Sequence, residues 1–321
     1  MARQRRIRLC ILLVAASAAI LFILFFLSKK RLYAADNSDL FEETIEYQGK
    51  TYHYNDRLLT FLVMGIYSEE EDRGLLEGEA DANFLCVFDP ETKQLNVISL
   101  NRNSMVDIDF YNEDGIYLVC EKAQLAIQHG FGMDKEQSSL MHMTAVQRMM
   151  LGIPIHGHIA VDMSVVEQMN HAVDGVWVTV LEDLPKADPV FVQGKELCLS
   201  DEQAFWYVKY RDWQSYASAD RRLERDKQFL EGFINQAKDK IDEDFLFPYH
   251  LYKECGEHIY TNLSTDRILM LLMLAKDLEV QDIRFYSLPG ETKMGEVYEE
   301  FYIDEEGLFD LIVNLFYEEE K

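Results

Sequence analysis

Residues 83–103 read NFLCVFDPETKQLNVISLNRN. Asn83–Phe88 is an apolar run, Asp89-Pro90 turns the chain, and Gln94–Leu100 alternates apolar and polar positions. That pattern predicts two antiparallel strands joined as a hairpin. The second strand runs straight into Asn101-Arg102-Asn103. A charged residue at the end of a buried strand lies where open sheets commonly place their ligands. Upstream, Leu58–Ile66 (LLTFLVMGI) is a further apolar run that reads as a buried strand, followed by an acidic loop over 67–79.

Downstream the pattern alternates. A short helix is expected over Glu121–His129, ending at Gly130, and a longer one over Gln137–Leu151, stopped by Gly152 and Pro154. His156–Asp162 reads as a strand, Ser164–Ala172 as a helix and Val176–Leu181 as a strand. Ser200-Asp201-Glu202-Gln203 is a capping box that opens a helix through Tyr207. The C-terminal third reads as an irregular segment, a helix near Thr265–Leu278, a strand over Asp282–Leu288, an acidic loop and a last helix near Glu305–Tyr317. Helices and strands alternating without repeats imply one layered α/β domain, a sheet covered by helices, over residues 56–321.

The body of the chain is acidic. Seven of the 31 basic residues lie in residues 1–31, leaving 24 basic against 57 acidic residues beyond. Such a surface repels nucleic acid and anionic membranes except at a local basic site. One such site stands out in Tyr207–Phe229, YVKYRDWQSYASADRRLERDKQF. Lys209, Arg211, Arg221, Arg222, Arg225 and Lys227 crowd together there. Guanidinium forks match phosphate oxygens bidentately and stay charged at any working pH. A long helix is expected from Ala219 to Lys240, with Arg222 and Arg225 on one face. Spacing alone equally allows a solvated helix face with intrahelical pairs, Arg222 with Asp226 for instance.

Leu9–Leu27 is a 19-residue run without a charge, flanked by basic residues on both sides. That is close to the ~20 residues a helix needs to cross a bilayer. The segment reads as an uncleaved membrane anchor rather than a signal peptide, because three basic residues follow it directly. The expected order is a basic cytoplasmic tail (1–8), a transmembrane helix (9–27), a juxtamembrane linker (28–55) with at most one strand, and an extracytoplasmic domain. Cys86, Cys120, Cys198 and Cys255 show no metal-ligand spacing and read as separate buried thiols. His156, His158 and His171 read as structural. Met141, Met143, Met149 and Met150 read as core, with a lipid-chain pocket as the alternative.

Taken together, the apolar anchor, Gly78-Glu79-Ala80-Asp81-Ala82 entering a strand, Ser99-Leu100-Asn101-Arg102-Asn103 at a strand end, and the arginine helix resemble the LytR–CpsA–Psr family of cell-envelope proteins. The resemblance covers roughly residues 56–240. It implies a three-layer α-β-α sandwich around a central mixed sheet. It also implies a phosphotransferase that moves a glycopolymer from a polyprenyl-pyrophosphate carrier to peptidoglycan at the plasma membrane of a bacterium. The partners implied are the lipid-linked glycopolymer, peptidoglycan and membrane lipid, with no nucleic acid.

Carried over position by position, Arg102, Arg211, Arg222 and Arg225 are the expected catalytic pyrophosphate clamp, with Lys209 assisting. Asp81 is the expected magnesium ligand, and Glu79 stands in as a second carboxylate. Leu199–Ala204 matches the family's Leu-x-Gly-Glu-Gln-Ala block, and Lys122–Gly130 resembles its Lys-x-x-x-Ala block. Three departures bear on the chemistry. Tyr67 follows Gly65-Ile66 where the family carries an aspartate, Glu79 replaces an arginine, and Asn103 replaces an aspartate that could act as acid or base.

Overall fold

The computed structural model describes residues 40–67, 78–212, 215–275, 278 and 280–320. The basic tail and the apolar run at 9–27 lie outside the described residues, as does most of the loop at 67–79. Among the described residues no helix is long and apolar enough to cross a membrane.

The chain begins with strands β1 (Thr44–Tyr47) and β2 (Lys50–Tyr54), followed by β3 (Leu59–Tyr67), β4 (Glu79–Asp89) and β5 (Gln94–Ser99). A second hairpin, β6 (Met105–Tyr111) and β7 (Tyr117–Gln124), leads to α1 (Lys135–Met149), β8 (Gly157–Asp162), α2 (Val165–Ala172), β9 (Trp177–Thr179) and β10 (Glu196–Cys198). Helices α3 (Asp201–Lys209), α4 (Ser218–Glu243) and α5 (Phe247–Cys255) precede β11 (Ile259–Thr261) and α6 (Thr265–Ala275). The chain closes with β12 (Ile283–Ser287), β13 (Gly290–Met294), β14 (Glu299–Ile303), α7 (Glu305–Phe316) and β15 (Tyr317–Glu319).

A mixed six-stranded sheet, ordered β11-β8-β3-β4-β5-β12, forms the centre. The predicted hairpin is present, with Phe84 opposite Ser99 and Phe88 opposite Leu95. Strand alternation divides the core. Leu62, Met64, Leu85 and Ile98 face a cluster completed by Val146 and Met149 of α1 and Ile312 and Phe316 of α7. On the other face Phe84 and Val97 meet Leu230 of α4, and Leu59 and Phe61 meet Ile268 of α6. Helices on both faces make the arrangement three-layered. They explain why β3 and β4 read as continuous apolar runs, since both sides of these strands are covered. Each fully buried aliphatic side chain contributes ~1.5–3 kcal/mol.

Several expectations need correction. Residues 121–129 are only half helical, and as a 3-10 rather than an α-helix. Tyr117–Gln124 is a strand paired with β6, and a 3-10 turn at Leu125–Phe131 follows. The β-favouring run Tyr117-Leu118-Val119 and the partner strand outweigh local helix propensity. Residues 44–54, expected within a linker, form a hairpin that pairs with β15. The irregular C-terminal segment contains α5 and β11, and the acidic loop after β12 is the β13–β14 hairpin. Cys255 is buried and Cys86 partly so, but Cys120 and Cys198 are exposed. Met143, Met149 and Met150 fill the α1 core. His156 Nδ1 accepts the Thr60 amide at 3.0 Å, a structural role.

Candidate phosphate site

Three elements converge where β4 begins and β5 ends. In β3 a register irregularity follows Gly65, so that Ile66 pairs with Ala80 and Tyr67 with Glu79. The close approach needs glycine, because a Cβ at Gly65 would meet Met163 Sδ at 2.8 Å and Ala82 Cβ at 3.1 Å. Bulges of this kind re-aim side chains at sheet ends. In β4, Glu79 and Asp81 share one face by the two-residue period of a strand. At the end of β5, Asn101 Oδ1 accepts the Asn103 amide at 2.9 Å, and the Ser104 amide donates to the Asn101 carbonyl at 3.0 Å. That turn points Arg102 back over β4.

The Arg102 guanidinium bridges both carboxylates, pairing with Asp81 Oδ1 and Glu79 Oε2. Arg222 reaches the same aspartate from α4. Its Nη1 lies 3.1 Å from Asp81 Oδ2, and its Nη2 donates to the Asp81 carbonyl at 2.7 Å. Asp81 therefore joins two arginines 120 positions apart in sequence.

Arg211 completes the group. Its Nε donates to Ser218 Oγ at 2.8 Å and its Nη2 to Glu299 Oε2 at 2.5 Å. Burial holds the Arg211 pKa below its usual value; Glu299 opposes this, and the neighbouring charges of Arg222 and Arg102 add to the depression. Glu299 also accepts the Ser218 amide at 3.1 Å and the Ala219 amide at 3.4 Å, capping the first turn of α4. Burial alone would raise its pKa, but these amides and Arg211 hold it below the usual carboxylate range.

Arg225 sits behind this wall. It is 2% exposed, and each of its three nitrogens meets a protein acceptor: the Tyr207 carbonyl, Glu182 Oε1 and the Tyr210 carbonyl. It ties α3, α4 and the segment after β9 together from a buried position. Asp226 is buried near Arg222 Nε, 4.0 Å away, and its Oδ1 has no hydrogen-bond partner among the described residues. Desolvation raises its pKa to about 7, against the pull of Arg222 and Arg225.

Lys209 is placed differently. Its ammonium lies 3.9 Å from the Tyr67 ring centroid, with the tyrosine hydroxyl 2.5 Å away, and Phe205 and Trp206 flank it. The residue that replaces the family's aspartate thus carries a lysine on its face, a cation–π contact. Asn103 is buried, its carbonyl accepts the Phe301 amide, and its Oδ1 accepts Gln124 Nε2 at 3.3 Å.

Of the expected residues, Asp81, Arg102 and Arg222 touch directly, Arg211 joins them electrostatically, and Arg225 and Lys209 brace the periphery. Sequence reasoning misses Glu299 and Glu182. Their strand and loop contexts are ordinary, and only the crossing of distant segments gives them arginine partners. The Arg222–Asp226 pair is anticipated by its i, i+4 spacing, but as a solvated pair rather than a buried one. It also misses His129 and His142. His129 Nδ1 lies 2.8 Å from the Gly78 carbonyl and His142 Nε2 lies 2.7 Å from Asn83 Oδ1, so the two rings pin both ends of the Glu79–Asp81 segment.

The LytR_cpsA_psr family model matches residues 26–314. The chain belongs to this family. Among curated relatives, Biofilm regulatory protein A of Streptococcus mutans is 25% identical over 76% of this chain and 59% of its own length. The polyisoprenyl-teichoic acid–peptidoglycan teichoic acid transferase TagU of Enterococcus faecalis is 24% identical over 66% of this chain. The alignment spans 62% of that transferase, so the chain matches less than two thirds of either relative.

Solved structures share the family fold. Protein gbs0355 of Streptococcus agalactiae superposes with a TM-score of 0.66 at 18% identity, covering 81% of this chain and 86% of that one. TagV of B. subtilis gives 0.60 at 21% identity, covering 81% and 96%. TagT bound to LI-WTA gives 0.60 at 19% identity, covering 86% and 95%.

Proposed function

We propose that this family member transfers a cell-wall glycopolymer from a polyprenyl-pyrophosphate carrier to peptidoglycan. Its body would lie outside the bacterial plasma membrane and its N-terminal apolar segment within it. The observation that carries the reading is the shared carboxylate: Asp81 holds Arg102 and Arg222 at one point, with Arg211 beside them. Buried guanidiniums are tolerable without ligand only because carboxylates neutralise them. An arriving diphosphate offers more oxygens and more charge than Asp81 and Glu79 do, so Arg102 and Arg222 can turn to it with little rearrangement. Donors preorganised in a poorly solvated site then stabilise charge moving onto the leaving polyprenyl phosphate. Glycopolymer transfer is also consistent with the name of the teichoic acid transferase relative.

Magnesium fits this donor set conditionally. Asp81 and Glu79 are hard oxygen ligands on one strand face, but the Arg102 guanidinium occupies both. Those two carboxylates would hold the ion once phosphate oxygens have drawn Arg102 away. Bound there, it would neutralise charge on the transferred phosphoryl group. Magnesium should therefore bind the full chain at least tenfold more tightly with pyrophosphate present than alone, a difference of about 1.4 kcal/mol. Calorimetry with each component and with both measures it.

The direct test follows release of polyprenyl phosphate by the full chain from a synthetic polyprenyl-pyrophosphate disaccharide, with peptidoglycan oligomers as acceptor. Release should fall at least about 100-fold in Arg102→Ala, the loss typical of removing one transition-state donor. Unchanged release in that variant would sink the assignment. A second reading is a binding module that holds a lipid-linked intermediate without transferring it. The Lys209–Tyr67 pair and the buried Asn103, in places where the family's acidic residues are expected, favour it. Tight binding with no release at any magnesium concentration would select this alternative.

A further inference from the structure

Beside the arginine wall lies a cavity of about 330 Å³ between the carboxyl ends of β5 and β12 and the first turns of α4. The two strands are parallel neighbours, so their ends open on the same side. The partition between cavity and wall is thin. Asn101, which lines the cavity, immediately precedes Arg102, and its Nδ2 donates to Asp220 Oδ1 at 2.6 Å. Glu182 lines the cavity and also pairs with Arg225.

The lining carries more carboxylates than cations. Glu182, Asp220 and Glu224 face the space, and Arg221 is the one cation among the described lining residues. Its three nitrogens go to Glu182 Oε2 at 2.8 Å, the Tyr216 carbonyl at 2.5 Å and Ser215 Oγ at 2.6 Å. The space therefore repels phosphate. It offers carboxylate acceptors to hydroxyl or ammonium donors, and an apolar side formed by Leu223 and Phe301. One further observation points to a missing partner: Thr292 Oγ1, on the lining, is buried without a hydrogen bond among the described residues. Hydroxyls on one face and C–H groups on the other describe a saccharide. The volume lies at the low end for small-ligand sites, room for one or two sugar rings.

We propose that this cavity binds the acceptor glycan, an uncharged or amino sugar, next to the phosphate site. The inference rests on the transferase reading and adds a second compartment to it. Phosphate is held by guanidiniums on one side of the Asn101–Asp220 contact, and acceptor hydroxyls by carboxylates on the other. The difference in contacting groups keeps donor and acceptor from competing for one place.

The test titrates the full chain with a soluble peptidoglycan disaccharide fragment and, separately, with inorganic pyrophosphate. Leu223→Trp fills the cavity, and Thr292→Val removes the orphan hydroxyl with little change of volume. We expect glycan affinity to fall about tenfold or more in Leu223→Trp and measurably in Thr292→Val, with pyrophosphate affinity within about twofold of wild type. The milder variant keeps the test decisive should the tryptophan variant fail to fold. Unchanged glycan binding in the variants, no glycan binding by the wild-type chain, or glycan and pyrophosphate weakening in step would each overturn the cavity assignment. Absence of pyrophosphate binding by the wild-type chain would instead count against the phosphate site on which the transferase reading depends.

Discussion

The two halves of α4 carry similar charge patterns and meet opposite fates. In the C-terminal half, Lys238 pairs with Asp242 one turn on at 3.5 Å, and Lys240 reaches Asp174 at 2.6 Å, with both acidic partners largely exposed. In the N-terminal half, Arg222, Arg225 and Asp226 are buried, and the arginines find their closest partners on β4 and in the segment after β9. The same i, i+4 spacing is thus a solvated face in one half and a charged interior in the other. Spacing says which side chains share a face. It does not say what the face meets.

The comparison breaks most visibly at Arg225. Arg225→Ala strands Glu182 and two backbone carbonyls in a buried wall, and should cost about 3–5 kcal/mol in urea unfolding, as removal of one partner of a buried pair does. A loss below about 1 kcal/mol would mean the N-terminal half is as solvated as the other.

Asp226→Asn should act in the opposite direction. The folded pKa of Asp226, about 7, lies above its unfolded value, so its ionisation costs stability as pH rises from about 4, fully above 7. The amide should stabilise the chain by on the order of 4 kcal/mol at pH 8 and by little at pH 3.5. Melting curves at the two pH values measure it.

His129 sharpens the sign. Burial pushes its pKa down to about 4, so its contribution is whole above the unfolded value near 6.5 and is lost as pH falls toward 4. His129→Gln should flatten the loss of stability over that window relative to wild type. The smallest effect belongs to the solvated half: Lys238→Ala should change stability by less than about 0.5 kcal/mol.

The site is partly legible in the sequence. The strand end at Asn101-Arg102-Asn103 and the capping box at Ser200 are readable, because periodicity and capping depend on neighbours a few residues apart. The box is present, with Gln203 N donating to Ser200 Oγ at 3.2 Å and the Ser200 amide donating back to Gln203 Oε1 at 3.1 Å. The convergence of Asp81, Arg102, Arg211 and Arg222 is reached through the family resemblance, since no local rule joins residues so far apart. Glu299 escapes both routes. It lies in a stretch that reads as an acidic loop, and only the β14 backbone places it at the first turn of α4. Residues 121–124, the end of β7, read wrongly as helix for a similar reason, since the partner strand β6 decides their conformation.

Legible in the sequence alone are the elements from β3 to α4 other than β6, β7 and β10, together with the acidic character of the body and the arginine-rich identity of the α4 face. These follow from period, capping and charge, all of which act locally or as sums. Tertiary contacts alone set which arginines share the Asp81 carboxylate and which is held by Glu182 and backbone carbonyls. They also bring Lys209 to Tyr67 and set a carboxylate-lined cavity beside the guanidinium wall. Those outcomes depend on which distant carboxylate or carbonyl reaches each charge first. Burial then makes that choice energetically decisive, because an unpaired charge removed from water is far more costly than a paired one.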